Sequence, residues 1–120
     1  MSPDEFRRRT FAYGIQIVRL VQSLPRTDLA RDLGRQLARA GMSVGANYRA
    51  AARARSGADF VAKLGIVEEE CDETLYWMEA LIELGLVDKE RVAALRTEGN
   101  ELLSMIVASI QTARRKNAKT

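Results

Sequence analysis

The stretch GADFVAKLGIVEEECDETLYWMEALIEL, residues 57–84, decides the fold. Phe60, Leu64, Val67, Cys71, Leu75, Met78 and Ile82 recur three and four positions apart, the spacing that lines residues up on one side of an α-helix. A run this long without proline is several times the length of a strand. Ser56 is placed to cap its start, and Gly85 supplies the C-terminal stop.

Working outward, Arg55-Ser56-Gly57 is a natural break. Before it, the spacing predicts a helix over about residues 28–54, capped by Thr27, with Leu29, Leu33, Leu37, Ala40, Val44, Asn47, Tyr48 and Ala51 on one face. A first helix is expected over about residues 3–23. Ser2 can cap it, Pro3 sits at its first position and Glu5 follows the cap by three. Its stripe is Phe6, Thr10, Tyr13, Ile17, Leu20, Val21 and Leu24, and Leu24-Pro25 ends it. A fourth helix begins near Asp88, a good N-cap. It carries Val92, Leu95, Leu102, Ile106, Ile110 and Ala113, and frays in Arg114-Arg115-Lys116. Four long helices joined by short turns predict an all-α, antiparallel up-down-up-down four-helix bundle. Residues 1–116 form one domain, with a short basic tail at 117–120.

The 120 residues suffice for one domain with a real core. Histidine is absent, which removes the commonest general base and metal ligand. A single cysteine excludes an intrachain disulfide and a Cys-x-x-Cys site. Cys71 lies in the apolar stripe and has no histidine to make it a thiolate, so it reads as a packing group. The acidic run Glu68, Glu69, Glu70, Asp72 and Glu73 lacks the Glu-x-x-His partners of a di-metal bundle site. These absences predict a protein that is not an enzyme and needs no metal or cofactor. The start, Met1-Ser2-Pro3-Asp4-Glu5, begins no signal peptide, and no apolar run reaches a membrane span. A cytoplasmic protein with no membrane partner is expected.

Two features exceed what one bundle needs. Helices one and three carry second apolar ridges, Phe11, Ile15 and Val18 on the first and Ile66, Trp77 and Leu84 on the third. The latter lie roughly 100–120° from the core stripe. Self-association would bury them; a wide bundle helix that buries both ridges itself is the alternative. Helix two also has a flank of small residues, Gly34, Ala38, Gly41, Gly45 and Ala52, which suggests close packing.

The charge is unevenly distributed. Residues 28–55 carry net +4 and residues 56–90 net −8, within a total of only +3. Arg31, Arg35, Arg39, Arg49 and Arg53 lie opposite the core face of helix two, and Arg114, Arg115 and Lys116 follow near the C-terminus. Such a stripe suits phosphate contact. The alternative is a solvated face, or arginines engaged by the acidic third helix. Asn47 faces the core and is expected to bond Glu69, Glu73 or Thr74 across the bundle and fix register. Glu73 beside Trp77 is expected to be partly buried, and Glu69 and Glu73 are candidate interface or structural polar groups.

Several blocks resemble one family. They are Phe11-Ala12, Leu24-Pro25, Gln36-Leu37-Ala38-Arg39-Ala40, Ser43-Val44-Gly45-Ala46-Asn47-Tyr48-Arg49-Ala50-Ala51, Asp59-Phe60-Val61-Ala62-Lys63-Leu64 and Glu68 through Trp77. The chain resembles the four-helix-bundle proteins encoded in intervening sequences of bacterial 23S ribosomal RNA genes. The resemblance implies a ring-shaped homopentamer with no established enzymatic activity. A related branch, the accessory variability proteins of diversity-generating retroelements, is a similar pentamer that binds nucleic acid and a reverse transcriptase through a basic outer surface. Ala50 and Ala51 stand where many intervening-sequence members have Glu-Gly, which places this chain in a sub-branch. The expected function is non-enzymatic binding of RNA, DNA or a ribonucleoprotein by a homopentamer, with a reverse transcriptase or other nucleic-acid enzyme among the candidate partners. A protein-interaction scaffold is the alternative.

Overall fold

A computed structural model describes residues 1–119; the last residue of the expected 117–120 tail, Thr120, lies outside the described residues. The chain forms α1 (Pro3–Gln22), α2 (Asp28–Ala52), α3 (Gly57–Glu83) and α4 (Lys89–Ala118). The caps follow local chemistry. Ser2, Thr27 and Ser56 each accept a hydrogen bond from the amide three residues on. Asp88 holds the N-cap position of α4, but its side chain makes no capping bond. Gly85 takes φ +70°, and the amide of Leu86 reaches back to the carbonyl of Leu81, closing α3. The fourth helix does not fray at Arg114-Arg115-Lys116 but continues to Ala118.

Consecutive helices run antiparallel and pack as neighbours, and α1 closes the square against α4. The bundle measures 53 × 21 × 21 Å. Its core holds the expected stripes, including Ile17, Leu37, Val44, Val67, Met78, Leu102 and Ile106. Leu29 departs from expectation. It is 51% exposed, and Ala30 takes the buried place. The buried face of α2 is turned toward Gly34, Gly41 and Gly45, which leaves Leu29 at its edge.

Small residues set the α1–α2 distance. A Cβ on Gly41 would lie 2.8 Å from Ile17 Cγ2, and one on Gly45 would lie 3.3 Å from the backbone of α1. The three glycines of the flank read from the sequence therefore form a seam inside the bundle, while Ala52 at its end is exposed. Gly14 completes it from α1, where a Cβ would lie 2.9 Å from the Gly41 carbonyl oxygen.

One polar link crosses the diagonal between α1 and α3. The Thr74 hydroxyl donates to the Cys71 carbonyl, so the Tyr13 hydroxyl, 2.7 Å away, donates to Thr74 Oγ1. Both residues are fully buried. Tyr13→Phe keeps the ring and leaves Thr74 bonded to Cys71. The variant is expected to lose about 1 kcal/mol in urea denaturation.

Candidate nucleic-acid interface

The exposed side of α2 carries the five arginines, but their surroundings differ. Arg39 reaches α3, with Nη1 3.2 Å from Glu70 Oε2 and Nη2 on Glu73 Oε1. Arg31 pairs with Asp28 at 3.1 Å and Arg35 with Asp32 at 3.7 Å, each one turn back on the same exposed face. Pairs of this kind contribute only about 0.3–0.5 kcal/mol and exchange readily with other anions. Arg49 stacks its guanidinium over Phe11 at 5.3 Å, and Arg53 has no carboxylate partner among the described residues. Both line a groove of about 330 Å³ on the α1–α2 seam, with Phe11, Gly14, Met42 and Gly45.

The antiparallel order decides which cations meet. It brings the C-terminal ends of α2 and α4 beside the N-terminal ends of α1 and α3. Arg49 and Arg53 thereby share one end of the bundle with Arg114, Arg115 and Lys116. Arg115 donates to Thr112 at 3.4 Å, whereas Arg114 and Lys116 are exposed without an ion-pair partner. Arg7 and Arg8, at the same end, are held by Asp4. Arg31 and Arg35 belong to the other half, since 18 residues of helix separate Arg35 from Arg53, about 27 Å. The expected stripe is thus two groups with Arg39 bridged to α3 between them. The gathering of cations at one end had no signal within any single helix.

The acidic helix is mostly left unpaired. Glu70 and Glu73 meet Arg39, while Glu69, Asp72, Glu79 and Glu83 are exposed and outside any ion pair. Glu73 is part-buried, as expected. Its carboxylate accepts from the Trp77 indole at 3.1 Å and from Arg39, and these bonds hold it below the usual carboxylate range against the opposing effect of burial. A carboxylate with a lowered folded value stabilises the fold above its unfolded pKa and loses that contribution as pH falls through the folded value. The urea midpoint is expected to drop as pH falls below the ordinary carboxylate range, and to drop less in Glu73→Gln.

Asn47 corrects the sequence reading. Its amide donates to the Ser43 carbonyl of its own helix at 2.8 Å and crosses to no other helix. It sits at the edge of the core, and its expected partners are engaged elsewhere, Thr74 by Tyr13 and Glu73 by Arg39 and Trp77. Tyr13 and Thr74 form the cross-bundle link instead. Cys71 is fully buried and donates weakly to the Gly99 carbonyl at 3.5 Å. Burial pushes its thiol up to about 12, so it stays protonated at neutral pH. Among the described residues no three acidic or thiol groups converge as metal ligands. No described helix is long and apolar enough to cross a membrane.

The second ridges are only partly covered. Phe11 is 49%, Ile66 43% and Leu84 54% exposed, while Ile15, Val18 and Trp77 are half-buried. Met42 and Tyr76 are further exposed apolar residues that periodicity did not single out. Met42 extends the small-residue flank, one turn after Ala38, and Tyr76 packs edge-on against Trp77 at 5.1 Å.

This arrangement has a solved counterpart. The chain is similar to the crystal structure of a protein of unknown function from the S23 ribosomal protein family of Bacteroides thetaiotaomicron. The TM-score is 0.85 at 30% identity, over 92% of this chain and 99% of that one. No curated protein matches. A sequence model of the 23S rRNA-intervening sequence proteins matches residues 5–108. With the family model spanning most of the chain and the fold shared over nearly its full length, the chain belongs to the 23S rRNA-intervening sequence protein family.

Proposed function

We propose that this protein is a non-enzymatic homo-oligomer, a ring of five copies, that binds RNA, DNA or a ribonucleoprotein electrostatically through its basic surface. The observation that carries the reading is the fate of the α2 arginines. Arg39 is the one of the five that pairs with the acidic helix, which leaves Arg31, Arg35, Arg49 and Arg53 facing solvent. Exposed guanidinium groups without structural duties suit a phosphate backbone, and displaced counterions supply most of such affinity. Contacts to phosphate read charge and spacing rather than base sequence.

The ring rests on the uncovered apolar residues. Phe11 and Met42 border the α1–α2 seam. Ile66, Trp77 and Leu84 follow the edge of α3 on which Glu73 meets Arg39. These are two different faces, so joining one to the other adds copies head to tail, and a ring forms if the rotation closes. Repeating weak phosphate contacts around a ring raises affinity through avidity.

Light scattering on the purified protein, with filter retention of a single-stranded RNA and a DNA duplex against salt, tests both halves. The expected result is a mass of five chains and retention that falls steeply with salt. A stable monomer overturns the ring. An intact ring with no retention at low salt moves the function to a protein-docking scaffold.

A further inference from the structure

The end of the bundle that gathers the cations also holds the larger cavity, about 530 Å³, between α1 and α4. This is within the range of small-molecule sites. It exists because the wall from α4 is made of small side chains, Ala108, Ser109 and Thr112, where large residues would fill the gap. Its apolar lining includes Phe6, Phe60, Leu64 and Met105. From Met105 to Asn117 the wall runs about 18 Å along the helix axis. That is the proportion of an extended chain rather than a compact ring system.

No Asp or Glu lines this cavity. Lys116 stands in its wall with no ion-pair partner among the described residues. Tyr48 packs edge-on against Phe6 at 4.7 Å, and its hydroxyl has no hydrogen-bond partner among the described residues. Burial pushes that phenol up, so it remains a donor at neutral pH. A trough with apolar walls, the Lys116 ammonium, the Tyr48 phenol and no acid matches an amphiphile with an anionic head.

We propose that the α1–α4 cavity binds a medium-chain acyl carboxylate. The acyl chain lies along α4 among Phe6, Phe60, Leu64 and Met105, and the carboxylate pairs with Lys116. This site is separate from the arginines of α2 and does not depend on the oligomeric state.

Calorimetric titration of the full chain with dodecanoate, below its micelle concentration, tests the proposal. Dodecyltrimethylammonium serves as the charge control. The expected result is saturable binding of one dodecanoate per chain, with no such site for the cationic amphiphile. Lys116→Glu is expected to weaken binding at least about tenfold, since a repelled head group replaces a paired one. Ser109→Phe places a ring in the trough and is expected to abolish binding. Ser109 is exposed, so the fold should survive, and a circular dichroism melt checks this. If that variant melts early, Ala108→Leu, also at an exposed position, provides the block. Absence of saturable dodecanoate binding overturns the proposal. So does equal binding of the cationic amphiphile, or unchanged affinity in both the Lys116 and the blocking variants.

Discussion

Replacing Arg31, Arg35, Arg49 and Arg53 together by Glu is expected to abolish nucleic-acid retention while leaving the four helices intact. Each replacement changes the charge by two units, so the four take the chain from +3 to −5. None of the four holds two helices together by an ion pair. Arg31 and Arg35 pair only within α2, Arg53 has no carboxylate partner, and Arg49 touches α1 only through Phe11. Loss of four phosphate contacts should flatten the slope of log K against log salt by about 3 on single strands. Affinity near physiological salt should fall by at least about a hundredfold. The Arg39→Glu variant separates the roles. It removes the bridge to Glu70 and Glu73, so its main effect is expected on the urea midpoint rather than on the salt slope. Retention of wild-type strength by the quadruple variant would exclude α2 as the contact surface.

Gly14→Leu is expected to be the most damaging single substitution in the α1–α2 seam. Its Cβ would lie 2.9 Å from the Gly41 carbonyl oxygen and 3.1 Å from Met42 Sδ. The sulfur can move, but the carbonyl belongs to the α2 backbone, so the helices must part and lose the contacts of Ile17 with Gly41. Overpacking of this kind costs about 1–3 kcal/mol, and more where backbone must shift. That is a large share of the roughly 5–15 kcal/mol that holds a domain. Gly65→Ala is the counter-experiment. Nothing lies within 4 Å of a Cβ there, so alanine should stabilise α3 by up to about 1 kcal/mol through helix propensity. Urea denaturation reads both signs. A stable Gly14→Leu protein would mean that the seam is looser than the structure places it.

Much of the fold was legible because its causes are local. The stripe from Phe60 to Ile82, the caps at Ser2, Thr27 and Ser56, and the stop at Gly85 each depend on a few neighbouring residues. All of them appear in the structure. The misreadings fall where a local cause has a competing partner. Leu29 followed the period of the leucines, but close packing at the glycines of α2 turns the buried face toward them and leaves Leu29 at its edge. Asn47 was given a partner across the bundle, yet its amide found a carbonyl one turn away. The candidate site was half legible. Helical spacing placed the five arginines on one exposed face. It could not say that Arg39 would meet two carboxylates of another helix while Arg49 and Arg53 would not.

The sequence by itself determined four amphipathic helices, their order and the positions of their charges, since hydrophobic period and capping are written along the chain. Tertiary structure alone decided which charges remain free and which glycines form a seam. It also gathered Arg49, Arg53, Arg114 and Lys116 at one end, above a cavity walled by Ala108 and Ser109. These depend on which helix lies beside which and in what direction, and the distances across the bundle arise only once all four helices share one core.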